Sequence, residues 1–115
     1  MNFKDRVIKI VKKIPYGRVT TYGTVALLAG SPQASRIVAG ILHTEEEFLP
    51  WQRIINRHGF ISIRGCKYDK NFQKKLLEAE GVDVSKDFMI DLDRYGWWGN
   101  EKNLDNSQLE KQQND

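Results

Sequence analysis

Residues 22–42 read YGTVALLAGSPQASRIVAGIL, and this stretch decides the fold. Thr21, just before it, can accept a hydrogen bond from the first turn of a helix predicted from Tyr22 to Ala29. Gly30 lies just past that helix, where a left-handed residue stops it at least cost. Ser31-Pro32 then opens a second helix, predicted from Pro32 to Leu42, with a Ser cap and Pro at the first helical position. Two short helices joined by Gly30-Ser31 make a helix-turn-helix. At about 100° per residue, Ala34, Ile37, Val38, Ile41 and Leu42 share one side of the second helix and are expected to pack inward. The other side shows Gln33, Ser35, Arg36, Ala39, Gly40 and His43. A solvated helix face usually carries long charged side chains, whereas this one is mostly small with a single Arg. Small residues let a helix backbone come close to another surface, either a DNA groove or a second protein segment.

Upstream, Phe3, Val7, Ile10, Val11 and Ile14 recur at helical spacing, so residues 3–13 form an amphipathic helix that Pro15-Tyr16-Gly17 ends. Val19-Thr20-Thr21 is β-branched and extended. Downstream comes an acidic loop, Thr44-Glu45-Glu46-Glu47. Ile54-Ile55-Asn56 and Phe60-Ile61-Ser62-Ile63 flank Arg57-His58-Gly59, the pattern of a β-hairpin that would serve as a wing. Residues 70–80 read as a helix with Phe72, Leu76 and Leu77 apolar and Gly81 as terminator. Val82-Asp83-Val84 is a short extended piece, and the aromatic segment Met89 to Trp98 is expected to pack on the body. Residues 100–115 hold few apolar groups and read as a disordered acidic tail. The fold class is mainly α, a winged helix-turn-helix domain with a short β-hairpin wing over residues 1–99.

Bulk properties set the bounds. A chain of 115 residues, 40% hydrophobic and 29% charged, suits one soluble globular domain. No apolar run approaches the ~20 residues of a membrane span, and the N-terminus lacks a signal-peptide apolar region. The single cysteine, Cys66, rules out an internal disulfide and a multi-cysteine zinc site. A cytoplasmic location is the default, nucleoid-associated in a bacterium or nuclear in a eukaryote. Net charge is +3, but residues 1–99 carry 16 basic against 11 acidic groups, a surplus of five that permits nucleic-acid binding.

Several ordered motifs resemble one family. Residues 14–23, Ile-Pro-Tyr-Gly-Arg-Val-Thr-Thr-Tyr-Gly, are similar to the opening of the C-terminal DNA-binding domain of O6-alkylguanine-DNA alkyltransferases, and residues 29–36, Ala-Gly-Ser-Pro-Gln-Ala-Ser-Arg, continue it. Pro50-Trp51-Gln52-Arg53-Ile54-Ile55 sits where those enzymes have Pro-Cys-His-Arg-Val, and Leu76 to Val82 matches their following helix. The resemblance covers about residues 3–84. Trp in place of Cys marks the alkyltransferase-like subset, which binds O6-alkylguanine without transfer and hands it to nucleotide excision repair. No enzyme-type N-terminal domain precedes Phe3, which also suits that subset.

The resemblance implies roles residue by residue. Arg36 corresponds to the arginine finger that fills the gap left by a flipped base, in a helix that enters the minor groove. Tyr22 corresponds to the tyrosine that crowds the 3′ phosphate; its alternative is a packed first-turn aromatic. The lesion pocket would comprise Trp51, Arg64, Tyr22 and Gln52, with Trp51 facing the alkyl group and Arg64 donating to O6 or stacking on the purine. Trp51 as core and Arg64 as a solvated wing residue are the competing readings. Thr20, Thr21, Ser31, Gln33, Ala34, Ser35 and Arg53 are candidate DNA-contact or support positions. No metal or cofactor is expected. The expected partners are double-stranded DNA containing O6-alkylguanine and nucleotide excision repair proteins, with no membrane and a monomeric chain.

Alkyl transfer from guanine O6 needs a soft nucleophile such as a thiolate, which an indole cannot replace near neutral pH. The enzymes' His, which ionises the Cys through a water and a Glu, is Gln52 here, although Glu80 matches the Glu; a glutamine is no general base. Cys66, fifteen residues past Trp51, has no nearby base and reads as an ordinary free thiol. Two other functions compete, an active alkyltransferase and a winged-helix regulator that reads DNA sequence. The regulator would need base-reading side chains where Ala39 and Gly40 stand. The acidic loop would repel phosphate and is expected to point away from DNA.

Overall fold

The computed structural model of the protein describes residues 1–45, 47–62 and 69–99. In chain order these form α1 (Phe3–Lys13), β1 (Thr20–Thr21), α2 (Tyr22–Leu28), α3 (Ser35–Thr44), a 3-10 turn (Trp51–Arg53), β2 (Ile54–Ile55), α4 (Lys70–Ala79) and α5 (Leu92–Tyr95). Side chains cap three of the helix starts that matter here. Asn2 accepts from the Asp5 N–H, Thr21 from the Thr24 N–H and Asp69 from the Phe72 N–H. The ends of α2 and α4 use the same device. Gly30 (φ +95°) sends its N–H to Leu27 while Ser31 donates to Ala26, and Gly81 (φ +89°) donates to Glu78 while Val82 donates to Leu77. Each pair of bonds satisfies carbonyls that the helix itself leaves open. Arg6 adds a bond from its Nε to the Ala29 carbonyl at 2.7 Å.

That tight ending moves the start of α3. Ser31 is already committed to closing α2, and its carbonyl accepts from the Ala34 N–H at 3.0 Å in a turn through Pro32-Gln33. The helix therefore begins at Ser35, not at the predicted Pro32, and Ala34 takes the cap position without a side-chain bond. The inward face is also narrower than its periodicity implies. Ala34, Val38 and Leu42 are buried and Ile41 is partly buried, but Ile37 is 58% exposed.

Two apolar clusters share the small sheet. The first joins Val7, Val11 and Ile14 of the α1 region to Val25, Val38, Leu42, Ile54 and Trp97, and the second joins Val19 and Ile55 to Ile61, Leu77, Val82 and Tyr95. Successive strand residues point to opposite faces, so Ile54 enters one cluster and Ile55 the other. Thr20 and Thr21 of β1 pair with them in parallel register. The aromatic segment packs on the body as its composition predicts: Trp97 is 3% exposed, and the chain there is tied to Val19 by bonds from Val19 N–H to Tyr95 O and from Trp97 N–H to Val19 O.

The segment after β2 turns back at residues 56–60, with the Asn56 N–H donating to Phe60 O and Asn56 Oδ1 accepting from the His58 and Phe60 N–H groups. Both flanks then pair elsewhere. Residues 54–55 lie on β1, while Phe60 bridges antiparallel to Met89 and the Ile61 N–H donates to Phe88 O. The buried apolar character of Ile54, Ile55 and Ile61 favours these partners over a free-standing two-stranded wing, which would leave them half solvated. Gly59 sits at the tip with φ +88°, and a Cβ there would lie 3.1 Å from the Ile90 carbonyl oxygen. Gly59→Ala should therefore lower the unfolding free energy by about 1–2 kcal/mol, read by urea denaturation.

Candidate nucleic-acid interface

The helix-turn-helix surface is built from the outward side of α3 and the turn before it. Gln33, Arg36, Gly40 and His43 are exposed, and Ser31, Ser35 and Ala39 are half-buried. Arg36 makes no hydrogen bond or ion pair among the described residues. No acidic residue occurs between Asp5 and Glu45, whereas Arg6, Lys9, Lys12, Lys13, Arg18 and Arg36 fall within that interval. Two of the acids that follow, Glu45 and Glu47, are drawn off to α1. Glu45 lies 3.2 Å from Lys4 Nζ, and Glu47 pairs with Lys12. Bonds from Lys4 and from the Glu47 N–H hold the Glu45 carboxyl below its usual range.

The predicted contact residues divide on burial. Thr20 is fully buried and Thr21 is 6% exposed, with the Thr21 Oγ1 on the Thr24 N–H and Thr24 hydroxyl, so Thr21 supports the start of α2. Ala34 is 8% exposed within the first core cluster and is likewise a packing residue. Tyr22 opens α2 half-buried against the same cluster. Arg53, also proposed for DNA, is turned inward. Its Nε donates to Glu80 at 2.9 and 3.1 Å, its Nη1 donates to the Ile14 carbonyl at 2.9 Å, and its guanidinium lies 5.6 Å from the Tyr16 ring centroid. Arg64 and Cys66 lie outside the described residues, as does the tail from 100 onward.

Glu80 is the centre of this second cluster. Besides Arg53 it accepts from the Gly17 N–H at 2.8 Å and from the Gln52 side-chain amide at 2.8 Å. Burial by itself would raise the carboxyl's pKa, but the bonds from Arg53, Gly17 and Gln52 outweigh it and hold the group below its usual range. The Gln52 amide is thereby fixed, and Glu80 has its lone pairs engaged by donors. Beneath the turn, Gln73 of α4 is 1% exposed, and its amide nitrogen donates to the carbonyls of Gln52 and Ile54 at 3.0 and 3.1 Å.

Trp51 heads this anchored turn. It is half-buried against the first cluster, and its ring centroid lies 6.3 Å from that of Phe72 at a tilt of 30°. Trp51, Gln52 and Arg53 are thus brought together, with Arg36 on a separate element. Sequence reading missed Gln73 and Phe72. Of the residues in α4 the buried pair is Gln73 and Leu77, four residues apart, while the apolar Phe72 is 43% exposed. Only the i, i+4 relation of Gln73 to Leu77 could have signalled this.

Comparison with known proteins gives concordant results. The family model for the 6-O-methylguanine DNA methyltransferase DNA-binding domain matches residues 2–82. The chain is 53% identical over 98 residues to an Escherichia coli protein named DNA base-flipping protein, covering 84% of this chain and 74% of that one. It is 37% identical over 102 residues to alkyltransferase-like protein 1 of Schizosaccharomyces pombe, covering 83% and 94%. Its fold is similar to the crystal structure of S. pombe Atl1 in complex with damaged DNA containing O6-carboxymethylguanine, with a TM-score of 0.76, 36% identity and coverage of 83% and 94%.

Glu80→Gln would set an amide NH2 against the Arg53, Gly17 and Gln52 donors and leave a buried guanidinium without its counter-charge. A loss of about 2–4 kcal/mol at pH 7 is expected. Because the folded carboxyl titrates below its usual 4.5, the wild-type advantage should be complete above that pH and shrink as pH falls through the lowered value. Urea unfolding of both proteins from pH 7 to pH 3 checks the magnitude and the sign.

Proposed function

The chain belongs to the family of the 6-O-methylguanine DNA methyltransferase DNA-binding domain, and from that premise we propose that it binds duplex DNA through α3, turns O6-alkylated guanine out of the stack beside Trp51, and transfers nothing. The observation that carries this reading is the residue at the reacting position. Trp51 offers an indole where alkyl transfer requires a thiolate. Its neighbour Gln52 is neutral and pinned to Glu80, so no group at this turn can take a proton from an incoming nucleophile. An indole beside the base is well suited to the apolar surface that alkylation adds and gains little from an unmodified O6.

DNA binding rests on different residues. Arg36 is an exposed cation at the start of an acid-free helix face, in position to occupy the space a flipped base leaves. Gly40 supports close approach. It lies inside α3, and a Cβ there would meet nothing within 4 Å. Helical glycine costs about 0.5–1 kcal/mol relative to alanine, so the chain's own packing gives no reason for it, whereas a groove wall against the helix would. The relatives named for base flipping and the complex with O6-carboxymethylguanine DNA agree with this role. A protein that binds such a base without repairing it serves to mark it for another pathway, and excision of the nucleotide is the repair chemistry that fits.

Affinity for duplexes identical except for guanine or O6-methylguanine, together with an assay for methyl transfer to protein, tests the reading. We expect preference for the modified duplex, no transfer, and weakening with salt. Equal affinities would refute lesion recognition, and stoichiometric transfer would refute the non-enzymatic role. Arg36→Ala should weaken binding to both duplexes, whereas Trp51→Ala should mainly erase the preference. Gly40→Ala should separate stability from function: unfolding free energy rises by about 0.5–1 kcal/mol while affinity for both duplexes falls. Unchanged DNA affinity would remove α3's close approach from the model of binding.

A further inference from the structure

We propose that Phe72 is a second wall of the pocket at Trp51 and sets how well the protein accepts large apolar substituents on guanine O6; this rests on the lesion-binding reading above. The starting point is an inversion in α4. A helix serving only to close a core would bury phenylalanine and expose glutamine. Here Gln73 is 1% exposed and Phe72 is 43% exposed.

The buried glutamine explains how the exposed ring is aimed. Its amide donates to carbonyls on both sides of Arg53, at 3.0 Å to Gln52 and 3.1 Å to Ile54, so one helical turn of α4 grips the backbone of the Trp51–Arg53 turn. Asp69 caps the same helical turn, its Oδ1 accepting the Phe72 N–H at 2.9 Å. The adjacent residue, Phe72, is thereby held in fixed relation to Trp51, with ring centroids 6.3 Å apart and planes tilted by 30°. Two tilted rings with exposed surface on each form an apolar notch whose shape does not depend on flexible side chains, because Phe and Trp each have only two rotatable bonds. A methyl group on a base lying against the indole is covered by Trp51 alone. A longer or aromatic substituent extends beyond the indole and meets the Phe72 ring, where an edge or offset contact is favourable.

The test uses the full chain and three duplexes carrying guanine, O6-methylguanine or O6-benzylguanine at one position. Phe72→Ala should lower affinity for the benzyl duplex by about five- to tenfold while changing the other two by less than about twofold, with Phe72→Leu between. The thermal midpoint of each variant should stay near that of the wild type, since the ring is half exposed and Gln73 retains its bonds. Should the alanine variant not fold, the leucine variant carries the same comparison. A benzyl-to-methyl affinity ratio unchanged in the folded variants overturns the role of Phe72. A wild-type protein that binds guanine and O6-methylguanine equally overturns the lesion reading itself, and the two failures are therefore distinguishable.

Discussion

A buried carboxylate with three sets of donors holds the working parts of this protein together. Glu80 stands at the end of α4 and binds Arg53 of the 3-10 turn, the Gly17 N–H after α1, and the Gln52 amide. Arg53 reaches on to the Ile14 carbonyl at the end of α1. Side-chain exposures of 15% for Arg53 and 5% for Glu80 place the pair out of water, where each ion depends on the other and on further bonds. Ion pairs of this kind gain little in net stability over apolar packing, but removing one partner is costly. Their effect is to fix geometry. Three segments distant in sequence can meet at only one place.

The arrangement also gives the carboxylate a structural role that does not depend on proton transfer. In an acid–base relay the carboxylate must orient a group that exchanges protons. Glu80 orients a glutamine, which exchanges none, and its own lowered pKa keeps it ionised as an acceptor. The same atoms thus serve as a mechanical clamp on the residue pair Trp51-Gln52. The Glu80 bonds to Arg53 and Gly17 do not depend on which side chains stand at positions 51 and 52.

Local signals carried most of the fold. The α1 boundaries, the Thr21 cap, the Gly30 and Gly81 terminators and the helix over 70–79 follow from side-chain spacing and capping chemistry over four or five residues. What escaped depends on partners far along the chain. The start of α3 shifted because Ser31 is consumed by the end of α2, and β2 paired with β1 because burying Ile54 and Ile55 in two clusters outweighed a local turn. At the site, Trp51, Gln52 and Arg36 were legible as motif positions. The inward direction of Arg53 and the burial of Thr20 were not, since an arginine or threonine reads as polar wherever it points, whereas the burial of Ala34 follows from the helical spacing of α3. Gln73 was least legible, because a buried glutamine is tolerable only where two carbonyls await it, and those belong to a turn about twenty residues away.

Departures from local rules in this chain fall into two kinds. Phe88 has φ +65°, a left-handed conformation that a bulky side chain rarely adopts. Its neighbours account for it: the Phe88 N–H donates to Ser85 O, its carbonyl accepts from Ile61, and Lys70 and Lys74 lie 4.6 and 5.5 Å from its ring centroid. Such strain is sustained by the folded chain and needs no ligand. Gly40 inside a helix and Ile37, 58% exposed beside Arg36, are different, because a Cβ at Gly40 would meet nothing within 4 Å and packing among the described residues calls for neither. Local rules broken without internal compensation mark surfaces that are completed from outside. Both residues lie on α3 next to Arg36, the residue proposed above to fill the space a flipped base leaves. On the proposed function α3 would lie against the DNA while the Trp51 turn receives the base, the division of labour that turning a base out of a duplex requires.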